Sequence, residues 1–259
     1  MRLTRAVLAV LLLGLLQVSP GSAADMPTVL ITGASRGIGL ELTRQYAERD
    51  WQVIATARIP AEATALMGIA KAPPNVTVEV LDVPDFGQID ALAAKYKGRP
   101  VDVLLNNAGI SGGEEVGTFG KLDYAVYDKV HAVNVLGPLK MAEAFLPNVA
   151  ASQQKKIISI TSTEGSISRT SRGGGYFYRS SKAALNMIMH SLAFDLKPKG
   201  VTVGLVSPGF VRTDFTKGID LPIMITPEQS ATAVIKVIDG YDLSMTGKFM
   251  RHNGEEAAW

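Results

Sequence analysis

The chain of 259 residues contains no cysteine. That absence excludes disulfides, thiolate nucleophiles and cysteine-bound metals. Histidine is scarce too: His131, His190 and His252 are the full set. They share no metal-ligand spacing, so metal catalysis is not expected. No charge of one sign dominates, with 26 Lys+Arg against 24 Asp+Glu, which provides neither a field for nucleic acid nor an acidic tail. Internal repeats, low-complexity tracts and charge runs are lacking as well.

What is present begins with one apolar run at the N-terminus, "MRLTRAVLAVLLLGLLQVSPGSAAD". Arg2 and Arg5 precede an apolar stretch over residues 6–16, Pro20 and Gly21 break it, and small residues follow at 21–24. Residues 1–24 read as a secretory signal peptide, sending the protein to the periplasm or outside the cell; the run is short for a membrane span. The alternatives are an uncleaved inner-membrane anchor, or a start at Met26 that leaves the protein cytoplasmic. Without the segment, basic and acidic residues balance at 24 each.

From residue 25 to 259 the chain reads as one domain, and 47% hydrophobic content is enough for a sizeable core. Short β-branched runs recur at 28–32, 52–57, 76–81, 101–106, 156–161 and 201–207. Their near-continuous hydrophobicity suits strands buried on both faces. Between them, stretches such as "IGLELTRQYAERD" and "YDKVHAVNVLGPLKMAEAFL" place apolar residues at helical spacing. This alternation predicts an α/β fold with a doubly wound, mostly parallel sheet of about seven strands flanked by helices. Ligands are expected beyond the strands' C-terminal ends.

The first strand runs into "TGASRGIG" (32–39), where glycines at 33, 37 and 39 open a helix. They permit a tight turn, close backbone approach and close helix–strand packing, and the helix N-terminus offers amides and a positive dipole end to a pyrophosphate. A site for NAD usually holds a carboxylate at the end of the second strand. Here that strand ends "IATAR", with Ala57 in the acid's place and Arg58 beside it, and Arg36 lies within the glycine loop. Two guanidiniums without a carboxylate favour a 2′-phosphate, hence NADP.

Several further motifs follow in order: "LDV" (81–83), "NNAG" (106–109), Asn134 in "HAVNVLGP", Ser162 in "ISITSTEG", Tyr178 with Lys182, and "SPGFVRT" (207–213). With "TGASRGIG" they resemble the short-chain dehydrogenase/reductase superfamily over essentially residues 28–259. "TGASRGIGLEL" and the ending "GKFMRHNGEEAAW" are similar to its C-factor and carbonyl-reductase branch. The resemblance implies a Rossmann fold. It also implies an NADP-dependent oxidoreductase that transfers hydride between nicotinamide and a carbonyl or secondary alcohol. Cofactor contacts are implied at Gly33, Ser35, Arg36, Gly37, Ile38, Gly39 and Arg58, and at Asp82 and Val83 around the adenine. Asn107, Ala108, Gly109, Val211 and Thr213 complete them, together with Tyr178 and Lys182. Asn134, Ser162, Tyr178 and Lys182 are the implied catalytic set: Ser162 holds the substrate oxygen, and Asn134 positions a water linking Lys182 to solvent. A homodimer or homotetramer is implied as well, with no metal.

Tyr178 and Lys182 are four residues apart, and so share one helix face. A free phenol, with a pKa of about 10, is a poor acid–base group at neutral pH. A nearby ammonium is expected to favour the phenolate and lower that value. Tyr176 has Ser180 at the same spacing and is assigned to packing or to the pocket wall. Thr161 is an alternative to Ser162, and Asp82 reads equally well as a helix N-cap. Residues 214–225 form a short expected lid. "SRTSRGGG" lengthens the loop between Ser162 and Tyr178, where Arg169 and Arg172 could draw an anionic substrate and Glu164 could shape specificity. The competing functions are an NADP(H)-binding signal or sensor protein with little turnover, and a periplasmic structural protein that binds no nucleotide.

Overall fold

The computed structural model describes residues 26–71, 74–113 and 118–259. The segment read as a signal peptide lies outside the described residues. No described helix is long and apolar enough to cross a membrane.

Seven strands form one parallel sheet in the order β3-β2-β1-β4-β5-β6-β7. They are β1 (Thr28–Ile31), β2 (Gln52–Ala57), β3 (Val76–Val80), β4 (Val103–Asn106), β5 (Lys156–Ile160), β6 (Thr202–Ser207) and β7 (Phe249–Arg251). Six of these match the runs read from the sequence. The seventh has only three residues, too few to show a period. The central strands β4, β5 and β6 are buried throughout, as strands covered on both faces must be.

Helices cover both faces. On one side α1 (Gly37–Glu48), α2 (Thr64–Lys71) and α7 (Pro227–Gly240) pack Leu42, Tyr46, Leu66, Val234 and Ile238 on the sheet. On the other, α3 (Phe86–Lys95), α5 (Gly137–Ala150) and α6 (Tyr176–Leu196) supply Ile89, Phe145, Val149, Leu185 and Met189. α4 (Tyr124–His131) leads into α5 through a single π-helical turn at Ala132–Leu136. The chain order reverses between β1 and β4, which are neighbours in the sheet, so a crevice opens beyond their C-terminal ends.

Two buried charged residues join elements. Asp102, just before β4, accepts from the Thr28 amide at 2.9 Å and from the Gln153 and Gln154 amides. Lys156, on β5, donates through Nζ to the carbonyls of Ile238 and Asp239 at 2.9 and 3.3 Å. It thereby pairs carbonyls at the C-terminal end of α7 with a cation, where the helix dipole favours one.

Candidate active site

The crevice is lined by four chain segments that leave the strands at the same sheet edge. After β1 the chain turns at Gly33 (φ +69°) and Gly37 (φ +58°) into α1. A Cβ at Gly39 would lie 2.4 Å from the Gly33 oxygen, so only glycine lets the helix start this close to the turn. No side chain caps the helix, whose N-cap is Arg36. Its first amides have no intrahelical acceptor and point outward, the geometry that receives a phosphate. Ser35 and Ile38 flank this turn, half-buried.

Asn107, after β4, braces that loop: its Nδ2 donates to the carbonyls of Thr32 and Gly33 at 2.9 and 3.1 Å. The amides of Asn107 and Ala108 both donate to Thr32 Oγ1 at 3.0 and 3.1 Å. The Asn107 amide donors are therefore directed at the glycine turn. Thr32, buried under it, is a site residue the motif reading passed over. At the end of β2, Ala57 is buried and Arg58 exposed. Arg36 is exposed as well, 3.9 Å from the Asp214 carboxylate. Beyond β3, Asp82 is half-exposed and Val83 buried, with the start of α5 against it at Gly137. The N-cap of α3 is Asp85, which accepts from the Gln88 amide at 3.1 Å. This removes the capping alternative for Asp82.

The π turn carries Asn134, fully buried. Its Oδ1 accepts from the Ile110 amide, and its Nδ2 donates to the Ile110 carbonyl and to Ser181 Oγ, each at 2.9 Å. Ser181 Oγ in turn donates to the Tyr178 carbonyl at 2.7 Å. Asn134 thus ties the "NNAG" loop to the first turn of α6. A π turn widens the helix by one residue and re-aims a side chain, which is why such turns recur at functional sites.

After β5, neighbouring hydroxyls part company. Thr161 Oγ1 turns inward to Asn186 at 2.6 Å. Ser162 faces the crevice, accepting from the Glu164 amide at 3.1 Å and leaving its proton to donate. Of the two candidates, Ser162 is the one presented. Gly165 lets this turn lie directly on α6, where a Cβ would meet the Lys182 backbone carbon at 2.7 Å.

On α6, Lys182 is 4% exposed, with Nζ donating to the Ile160 carbonyl at 2.9 Å and lying 5.8 Å from the Tyr178 ring centre. Burial pulls its ammonium down to about 8. Tyr178 shares its crevice face. The expected lowering of the phenol does not follow from the protein groups alone. Burial pushes it up to about 12, the Ser162 hydroxyl draws it down, and the Glu164 carboxylate raises it. The reason is that the Lys182 ammonium is spent on a carbonyl, while loss of water disfavours any phenolate. Tyr176 lies away from this face, exposed and near Phe119.

The fourth segment follows β6. Val211 is buried and bridged to Ile225, which closes the base of the 214–225 loop. Thr213 caps the 3-10 turn Asp214–Thr216 by accepting from the Phe215 amide at 3.2 Å. Its methyl would be 3.4 Å from a Cβ at Gly37. Phe215 places its ring edge-on to Tyr178, 5.3 Å away.

Comparison with known proteins gives a consistent picture. The "short chain dehydrogenase" family model matches residues 27–222. The chain is 37% identical over 239 residues to a 1-hydroxy-2-glutathionyl-2-methyl-3-butene dehydrogenase from Rhodococcus sp. (strain AD45), covering 90% of this chain and 100% of that one. It is 39% identical over 169 residues to the C-signal of Myxococcus xanthus, covering 65% of this chain and 99% of that protein. Among solved structures, an NADPH-bound carbonyl reductase from chicken fatty liver superposes with a TM-score of 0.84 at 31% identity, covering 90% of this chain and 99% of that one.

Proposed function

This chain belongs to the short-chain dehydrogenase family and is an oxidoreductase; within that family we propose that it is an NADPH-dependent reductase of ketones or aldehydes with Tyr178 as the proton donor. The observation that carries the reading is the pairing on one face of α6. A buried Lys182 ammonium lies 5.8 Å from the Tyr178 ring, at the mouth of a crevice whose glycine turn ends in an uncapped helix. The donors present fit the dinucleotide. The first amides of α1 suit its pyrophosphate, and Arg36 and Arg58 suit a 2′-phosphate, with no carboxylate at Ala57 to oppose it. When bound, NADPH supplies the hydride to the carbonyl carbon.

The chain's own residues do the rest. Ser162, whose hydroxyl also hydrogen-bonds the Tyr178 phenol, holds the carbonyl oxygen beside it. A phenol held near 12 stays protonated at neutral pH, which is the state an acid needs. Its proton goes to that oxygen as the alcohol forms, and Tyr178 is left as the phenolate beside the Lys182 charge. Asn134 fixes the first turn of α6 through Ser181. The test is NADPH consumption across a panel of carbonyls. Tyr178→Phe is expected to lower turnover by about 10²–10⁴-fold, the usual worth of a positioned acid, and full turnover in that variant would remove Tyr178 from the chemistry. A signal protein that only binds the nucleotide has no use for a buried ammonium beside a phenol, which favours turnover over binding alone.

A further inference from the structure

One side chain reaches several points of the lengthened loop between Ser162 and Tyr178. Arg179, next in sequence to Tyr178, turns its guanidinium back under the loop. Nη1 donates to the carbonyls of Arg172 and Gly174 at 2.6 and 3.3 Å, and Nη2 to Thr170 Oγ1 at 2.9 Å. Its Nε lies 3.6 Å from Glu164 Oε2, and that same carboxylate oxygen accepts from Arg172 at 2.7 Å. The Arg179 side chain is only 14% exposed. Gly175 makes room for it: this residue opens α6 in the left-handed region at φ +62°, and a Cβ there would be 3.2 Å from the Arg179 Cδ. Of the three glycines, Gly175 is thus the seat for the arginine. At the other end, the Glu164 amide donates to Ser162 Oγ.

We propose that Arg179 and Glu164 are a positioning pair, a charged bridge that fixes the Ser162 hydroxyl against the Tyr178 phenol and sets the charge beside it. The proposal rests on the proton role argued above for Tyr178. It also reassigns two arginine-loop features. Arg172 is paired with Glu164 at 2.7 Å, and the Glu164 charge bears on the phenol. Because an exposed ion pair is worth little by itself, the weight falls on the half-buried fork of Arg179. A planar guanidinium serves the three loop acceptors from two separate nitrogens, whereas an ammonium has its donors on a single atom.

The charged groups around the phenol are few. Lys182 faces it from α6, and Glu164 faces it from the turn after β5, offset by Arg172 and Arg179. On the lid, Asp214 is turned towards Arg36 at 3.9 Å. Removing one member of the pair therefore moves the phenol in a direction set by the charge removed. In Glu164→Gln the carboxylate that raises it is gone, so the pH limb governed by Tyr178 should move to lower pH. In Arg179→Gln the carboxylate is less compensated, and the limb should move to higher pH. Arg179→Lys keeps the charge and loses the fork, so it should hold the wild-type limb while KM rises several-fold.

A second measurement needs no turnover. Amide hydrogen exchange over residues 166–175 should speed by about tenfold or more in Arg179→Gln and Arg179→Lys, with exchange in the sheet unchanged. Shifts of opposite sign with faster loop exchange support the pair. Shifts of one sign, or an unaltered limb, overturn the electrostatic part. Unaltered loop exchange overturns the tether, even if the carbonyl panel yields no substrate. Failure of the proton role itself appears elsewhere, as full turnover in Tyr178→Phe.

Discussion

Thr161 and Ser162 are adjacent hydroxyls, yet the end of β5 sends one into the core and the other into the crevice. The strand alternates its faces, and Asn186 on α6 captures Thr161 at 2.6 Å. The motif pattern alone favoured Ser162, and the fold supplies the physical cause. The charge state of the pair on α6 was not legible in the same way, since spacing shows that Tyr178 and Lys182 meet but not how much water they lose. Lys182 gives a direct test of that loss. Its folded-state value of about 8 is below the ordinary lysine value of about 10.4. Between these two pH values the unfolded chain binds the proton and the folded one does not, so stability should rise with pH in this window. The full rise is on the order of 3 kcal/mol. Above about pH 10 the phenols reverse the trend, because Tyr178 keeps its proton in the folded state. Comparing urea unfolding of wild type and Lys182→Met at pH 7 and 9.5 isolates the lysine. Between the two pH values the wild type should gain about 2 kcal/mol on the variant if it loses its folded proton first, and equal slopes would show that the ammonium is not buried as a charge.

At the scale of elements, the site depends on how closely the turn after β5 approaches α6. Gly165 sits where that distance is smallest, with the Lys182 carbon, the Lys182 Cβ and the Ala183 amide all within 3 Å of a would-be Cβ. None of these is the end of a flexible chain, so Gly165→Ala must push the turn and the helix apart. Overpacking of this sort costs about 1–3 kcal/mol, and a displacement near 1 Å at the reacting groups costs about 10²-fold in rate. The variant should therefore lose more in kcat than in melting temperature, while NADPH still binds. Wild-type kcat would mean that Ser162 and Tyr178 tolerate the shift. Nothing in "TSTEG" marks this glycine, because the contact lies with a helix eleven or more residues away and exists only after folding. The π turn was similarly hidden: "YDKVHAVNVLGPLKMAEAFL" reads as one helix, and the extra residue per turn at Ala132–Leu136 leaves the apolar spacing almost unchanged. Asp102 and Lys156 were invisible for another reason. Each is a charged residue within an apolar run, and its partners are backbone groups of distant elements.

For the molecule as a whole, the order of strands is what composes the pocket; the alternation of apolar runs with amphipathic ones predicts the doubly wound sheet and the ligand-binding end of its strands, and the order itself comes from the fold. Four strand ends contribute the glycine turn, the brace at Asn107, the Ser162 turn and the capped loop at Thr213, and they meet only because β1 and β4 are neighbours. Ligand binding in such a crevice couples to global stability, because the unfolded chain cannot assemble it. A ligand at 100 times its Kd stabilises by about 2.7 kcal/mol, which for a domain of this size raises the melting temperature by roughly 5–11 °C. NADPH is expected to produce a shift of that order. NADH at the same concentration should produce less, since Arg36 and Arg58 then have no 2′-phosphate to meet. Arg36 is also shared with Asp214 at 3.9 Å, an exposed pair that contributes little by itself but must loosen for the guanidinium to reach a phosphate. The double variant Arg36→Ala, Arg58→Ala should bring the NADPH shift down to the NADH value and leave the unliganded melting temperature within about 2 °C of wild type, both side chains being exposed. Asp214→Asn should enlarge the NADPH shift by freeing Arg36. Equal shifts for the two nucleotides in the wild type would instead place cofactor choice outside these two arginines.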